Sequence, residues 1–159
     1  MTIMKNMIRS RIWRVLLISV LTGLIISIVE NVSIYIITII TGNLILSAEN
    51  TVFWIGVILT AVLFLITGLF CFRDMDRKDI AKSATVVVLY YIVIAALEQL
   101  LLSAGKYPII ISWLLIPVRM YSVIHQVLIR YTGLAAWIGL FISIISPYLY
   151  IIFGKQKPA

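Results

Sequence analysis

Long uninterrupted runs of apolar residues alternate with short polar segments along this chain. The apolar runs cover residues 15–40, 52–72, 84–103 and 134–153. Each run reaches or exceeds the roughly 20 residues that a helix needs to cross the hydrocarbon core of a bilayer. The runs are continuous, whereas the strands of a membrane barrel alternate apolar and polar residues. The pattern therefore predicts an all-α fold, a polytopic transmembrane helical bundle of about four spans, forming a single integral membrane domain over residues 1–159.

The segment 109–130 interrupts this regular pattern. Its apolar first part is broken by Pro117, and Arg119, His125 and other polar residues follow. Two interpretations fit: a broken, re-entrant or amphipathic segment on the outer side, or a fifth span with Arg119 facing protein. An arginine in the middle of a membrane costs at least a few kcal/mol unless it is paired. A proline after a short apolar run also favours a broken element, so we predict four full spans.

Small residues recur at every fourth position on two of the predicted spans. The first span has Ser19, Gly23, Ser27 and Asn31, and the last span has Ala135, Gly139, Ser143 and Pro147. Small side chains at this spacing let a neighbouring helix approach closely. We therefore predict tight helix contacts along both faces, and a kink at Pro147.

Composition and charge favour lipid over water as the surroundings of the chain. Hydrophobic residues make up 63% of it and charged residues only 12%, against about 25% charged residues in soluble domains. The net charge is +7, and most basic residues flank the spans, as the positive-inside rule describes. This pattern predicts a multi-pass protein of the cell (inner) membrane, with the N-terminus and the charged run 72–82 in the cytoplasm. Residues 1–14 are expected to be kept as an uncleaved anchor, and no nucleic-acid partner is predicted.

Two acidic residues inside predicted spans are the main candidates for function. Glu30-Asn31 follows Arg14, and Glu98-Gln99 follows Lys82, by the same 16 residues. At about 1.5 Å per residue, each glutamate lies roughly 24 Å above its basic anchor. In a core about 30 Å thick, both are therefore expected in the outer leaflet at similar depth.

The functional interpretation combines these acids with the polar residues of segment 109–130. Acids within spans usually face a partner or a water-filled cavity. The ligand- or ion-binding site would consist of Glu30, Asn31, Glu98, Gln99, Arg119 and His125, with Arg119 or His125 as the counter-charge. Two carboxylates in low-dielectric surroundings suit proton or cation coupling. The structural alternative is that each acid reaches the outer interface or ties helices together, while Arg119 anchors lipid phosphate.

The chain has few residues suited to catalysis or metal binding. It contains one cysteine, Cys71, and one histidine, His125, and no phosphate-loop, nucleophile or metalloprotease motif. We therefore predict that it is not an enzyme and uses no metal or cofactor. The leading hypothesis is a small transporter, a channel or the membrane subunit of a transport complex. The alternative is a non-catalytic accessory, regulatory or immunity-type protein; either would contact the lipid bilayer and a second copy or a membrane partner subunit.

Overall fold

The described part of the chain consists of six α-helices with short 3₁₀ and π extensions. The structure is a computed structural model that describes residues 11–41, 46–105, 108–133 and 135–156. The helices are α1 (Arg14–Thr41), α2 (Leu46–Thr67), α3 (Arg77–Ser103), α4 (Ile109–Leu114), α5 (Arg119–Thr132) and α6 (Ala136–Ile145). A 3₁₀ turn, Arg11–Trp13, precedes α1, and another, Ile116–Val118, joins α4 to α5. A π-helical turn, Gly68–Phe72, extends α2, and a 3₁₀ helix, Ser146–Phe153, extends α6 from the residue before Pro147.

Four helical stretches within the described ranges are long and apolar enough to cross a membrane. They are Arg14–Ile40, Glu49–Phe72, Arg77–Ser103 and Ala136–Phe153. This confirms the predicted all-α bundle with four spans. The segment 109–130 is not a fifth span, because its helices are short and broken at Pro117.

Two helices begin earlier than the apolar runs indicate. Helix α2 starts at Leu46 and α3 at Arg77, ahead of the predicted starts at residues 52 and 84. Each has an acid in its first turn, Glu49 in α2 and Asp79 in α3, where a negative charge is favourable for the helix dipole. The start of an apolar run marks where the chain enters the hydrocarbon core, whereas the helix can begin earlier, in the polar residues before that point.

Segment 109–132 forms a re-entrant hairpin. Its middle reaches deep into the bundle: Tyr90, at the centre of α3, donates a hydrogen bond to the carbonyl of Leu114 at 2.6 Å, and Gly23 of α1 abuts the carbonyl of Ile116. Its C-terminal end returns to the start of α2, where Arg130 Nη2 donates to Asn50 Oδ1 at 3.1 Å. The segment thus enters and leaves at the same end of the bundle, which we call the far end. The opposite end, which carries Arg14, residues 73–76 and Lys155, is the basic end.

The predicted small-residue contacts are found where α1 and α6 meet this hairpin. A Cβ atom built on Gly23 would lie 1.8 Å from the Ile116 carbonyl oxygen, and one on Gly139 would lie 2.8 Å from the His125 ring. Ser19 and Ser143 are fully buried. Asn31, at the end of the same stripe on α1, is exposed, so the contact covers only the first part of the stripe.

The basic end is closed by apolar packing and backbone hydrogen bonds. Phe72 and Met75 are buried, with 0% and 1% of their surface exposed. The Met75 carbonyl accepts a hydrogen bond from the Lys155 amide at 2.9 Å. Within the charged run at 72–82, only residues 73–76 form a loop between α2 and α3, and the rest is helical.

Replacing Asp74 by Asn in this loop should change stability little. Arg14 Nη1 donates to Asp74 Oδ2 at 2.8 Å, but the Asp74 side chain is 63% exposed. Exposed ion pairs contribute about 0 to 1 kcal/mol. Thermal unfolding of the purified protein should shift by no more than a few degrees, whereas Met75→Ala in the same loop should cost about 2 kcal/mol or more. A larger loss for the Asp74 variant than for the Met75 variant would contradict this account of the loop.

Candidate functional site

A polar cavity of about 340 Å³ lies between the re-entrant hairpin and helices α3 and α6. Its polar lining comes from two glutamine residues and four other polar or charged side chains: Glu98, Gln99, Arg119, Ser122, His125 and Gln126. Tyr91, Leu102, Leu115 and Leu140 complete part of the wall. Four of the six predicted site residues therefore line a single cavity.

Arg119 is bound to Glu30 from the neighbouring helix α1. Its Nε donates to Glu30 Oε2 at 2.9 Å, and its Nη2 donates to the same oxygen. The Glu30 side chain is 14% exposed, and that of Arg119 is 43% exposed. The charge of Arg119 is thus paired inside the bundle, as an arginine at membrane depth requires. Arg119 is the partner of Glu30 and also a wall of the cavity.

Gly56 makes room for the Glu30 carboxylate. A Cβ atom at Gly56 would lie 2.7 Å from Glu30 Oε1. The absence of a side chain on this face of α2 therefore lets Glu30 lie between α1 and α2 while it reaches Arg119. The Glu30 carboxylate of α1 therefore packs against Gly56 of α2 and accepts hydrogen bonds from Arg119 of the hairpin.

Helix α5 is amphipathic, and its two faces line two different cavities. Arg119, Ser122 and Gln126 share the face toward the polar cavity, since residues three and four apart are neighbours on a helix. Val123, Val127 and other apolar residues face a second cavity beside α2. The amphipathic character predicted for segment 109–130 is therefore confirmed. Ser122 and Gln126 were not among the predicted site residues, although their spacing from Arg119 is the signal that identifies them.

His125 is fixed by a contact with α6. Its Nε2 lies 3.0 Å from the carbonyl oxygen of Ala136, and because a carbonyl only accepts, Nε2 carries the hydrogen of this bond. Nδ1 is then the ring nitrogen with a lone pair when the imidazole is neutral. A Cβ atom on Gly139 would lie 2.8 Å from Cδ2 of the ring, so the close packing of α5 on α6 sets the position of His125.

A buried hydrogen-bond network holds the start of α5 against α1 and α6. The hydroxyl groups of Tyr121 and Ser19 are hydrogen-bonded at 2.7 Å. Ser143 donates to the backbone carbonyl of Tyr121. Tyr121 is 1% exposed. The network therefore fixes the backbone of α5 close to Arg119.

The remaining predicted residue, Asn31, lies outside the cavity wall. Its Nδ2 donates to the Ser27 carbonyl of the preceding turn at 2.8 Å, and its side chain is exposed. Asn31 follows Glu30 directly, so the two side chains lie on different parts of the helix surface. The structure thus brings together Glu98, Gln99, Arg119 and His125, joins Glu30 to them through Arg119, and leaves Asn31 apart.

The cavity wall and the ion pair beside it contain three charged side chains among the described residues. They are the carboxylates of Glu30 and Glu98 and the guanidinium of Arg119. Within the described residues, no group of three His, Cys, Asp or Glu side chains is arranged to hold a metal ion. No protein-family model, curated protein or solved structure matches this chain.

Proposed function

We propose that this multi-pass membrane protein is a small transport protein, or the membrane subunit of a transport complex, whose polar cavity takes up a cation or a proton. The observation that carries the proposal is the cavity of about 340 Å³ beside the re-entrant hairpin. Irregular backbone at membrane depth is tolerated where it is buried in protein or lines a water-filled cavity. Broken helices that bring polar groups to membrane depth form substrate sites in many transporters.

Glu98 is the residue we expect to meet the cation. It lies on α3 and lines the cavity together with Gln99 and His125. Glu30 is engaged by Arg119, so its carboxylate serves mainly to hold Arg119 in place. The amides of Gln99 and Gln126 supply neutral oxygen atoms, which suit a hydrated or organic monovalent cation better than a tightly bound divalent one.

The charge distribution supports a defined orientation. Arg73, Lys78 and Lys82 lie at the basic end, whereas Arg130 lies at the far end. By the positive-inside rule the basic end faces the cytoplasm of a cell membrane, and the cavity then belongs to the outer half. Four spans enclose a narrow pathway, so a second copy or a partner subunit would complete it.

Replacing Glu98 by Gln should abolish most cation entry into vesicles that contain the protein. Liposomes with a trapped pH-sensitive dye and a potassium diffusion potential report proton entry, and a sodium-sensitive dye reports sodium entry. The neutral side chain removes the carboxylate that Glu98 contributes to the cavity wall, and we expect at least about a tenfold loss of flux, equivalent to about 1.4 kcal/mol.

Glu49→Gln is the matched control for this experiment. Glu49 is an exposed acid in the first turn of α2 at the far end, and it is not part of the cavity wall. Its replacement should leave flux unchanged. Vesicles with the unaltered protein that take up neither ion faster than empty vesicles would overturn the proposal and favour the accessory or regulatory alternative.

A further inference from the structure

We propose that the second cavity, between α2 and α5, is a binding site for an anionic phospholipid, with one acyl chain in the crevice and the phosphate on Arg130. The crevice has a volume of about 290 Å³. Its walls are mainly apolar and include Val57, Ala61, Phe64, Val127, Leu128 and Leu149. Ala61 and Leu149 are exposed, so the crevice opens onto the surface that faces lipid.

The size and chemistry of the crevice fit a hydrocarbon chain. Its wall on α2 extends from Val57 to Phe64, about 10 Å along the helix axis. A helix with its side chains is about 10 to 12 Å across, so about 10 Å of helix would occupy roughly 800 Å³ or more, well above the crevice volume of about 290 Å³. Thr60 Oγ1 is buried there with no hydrogen-bond partner among the described residues, and the Tyr121 hydroxyl is engaged by Ser19. Because the walls are mainly apolar, we expect an apolar occupant along this length, although it leaves the Thr60 hydroxyl without a partner.

Arg130 supplies a positive charge at the far end of the same crevice. Its guanidinium carbon lies 4.6 Å from the centre of the Phe53 ring, and its Nη2 donates to Asn50 Oδ1. Phe53 lies one helical turn before Val57. Of the described carboxylates, none lies within 4 Å of Arg130. An arginine held by an aromatic ring and an amide, with its charge uncompensated, is suited to bind a lipid phosphate.

The lipid would lie on the opposite face of α5 from the polar cavity. Arg119, Ser122 and Gln126 face the polar cavity, while Ile124, Val127 and Leu128 face the crevice. A lipid in the crevice would cover the apolar face of the re-entrant hairpin where protein does not. The site is separate from the cation site, and it is tested separately.

Native mass spectrometry of the full chain in detergent tests this proposal. The probes are phosphatidylglycerol and phosphatidylcholine with identical acyl chains. We expect the protein to bind phosphatidylglycerol about fivefold more tightly. Both lipids carry a phosphate, but the choline ammonium of phosphatidylcholine offsets its charge, and the attraction of one arginine to a net anionic lipid contributes about 1 kcal/mol. Arg130→Gln should bring the ratio of the two affinities close to one, while Arg73→Gln, at the basic end, should leave it unchanged.

Filling the crevice provides the second arm of the test. Ala61→Phe should lower the affinity for both lipids about tenfold, because the new ring occupies the chain's place. Ile58→Phe is the matched control, since Ile58 is 62% exposed on the same helix and is not part of the crevice wall. Val57→Phe is the substitute if the Ala61 variant does not elute as a single species.

Three results would overturn the proposal. The first is a preference for phosphatidylglycerol that survives Arg130→Gln. The second is an Ala61→Phe variant that binds both lipids as Ile58→Phe does. The third is a dimer that forms in the unaltered protein and is lost in the Ala61 variant, which would assign the crevice to a second copy of this chain.

Discussion

Replacing Gly23 by Ala should destabilise the protein by about 3 kcal/mol, at the upper end of the usual cost of overpacking. The added methyl group would lie 1.8 Å from the carbonyl oxygen of Ile116 and 2.8 Å from its carbonyl carbon. Both are backbone atoms, so the 3₁₀ turn Ile116–Val118 has to move as a unit. That movement would also strain the hydrogen bond from Tyr90 to Leu114. Thermal unfolding of the purified protein should show a fall of at least about 6 °C.

Gly56→Ala is the control for this change, because it adds the same methyl group at a position where a side chain, and not the backbone, would have to move. The same methyl group would meet only the Glu30 carboxyl group, with Oε1 at 2.7 Å and Cδ at 3.7 Å, which is the end of a flexible side chain. The cost should be smaller than at Gly23, since the carboxylate turns aside without a shift of backbone. Equal losses at the two glycines, or none at Gly23, would mean that the re-entrant turn does not pack on α1 as described.

The sequence predicts those parts of the fold that depend on the burial of apolar residues in lipid. The four long apolar runs become the four spans, because continuous hydrophobicity over about 20 residues has few other outcomes. The starts of α2 and α3 cannot be read from hydropathy, since Leu46 and Arg77 lie in polar segments. There the acids of the first turns, Glu49 and Asp79, favour helix formation. The hairpin at Pro117 is predicted only as a break, and its depth is set by Gly23 and Tyr90, which are distant in sequence.

The sequence identifies four of the polar residues in the cavity wall, but it does not show how they are arranged in space. Glu98, Arg119 and His125 are identified by their cost in a membrane, and that cost is why they face a cavity or a partner. The pairing of Glu30 with Arg119 is a contact between residues 89 positions apart, and periodicity does not reveal which acid an arginine will meet. The sequence predicts Asn31 as a site residue because it adjoins Glu30, but adjacent residues on a helix point in different directions.

Replacing Arg119 by Gln should cost more stability than replacing Glu30 by Gln. The Glu30 side chain is 14% exposed and that of Arg119 is 43% exposed. Loss of Arg119 leaves a carboxylate covered by protein, whereas loss of Glu30 leaves a guanidinium that borders the polar cavity. Breaking a fully buried pair costs about 3 to 5 kcal/mol; because Arg119 is partly exposed, we expect about 2 kcal/mol for Arg119→Gln and about 1 kcal/mol for Glu30→Gln.

A double-mutant cycle separates this pairing from other effects of the two substitutions. The variant with both residues changed to Gln should be more stable than the sum of the single losses predicts, by about 1 kcal/mol or more, since it leaves neither charge without its partner. Arg14→Gln is the matched control: it removes an arginine from an ion pair whose acid is 63% exposed, and it should cost far less than Arg119→Gln. Additive losses at Glu30 and Arg119, or equal losses at Arg14 and Arg119, would show that the pair does not hold the re-entrant hairpin to α1. The cavity would then need another element to keep Arg119 in its wall, because the Tyr121 network fixes only the backbone nearby.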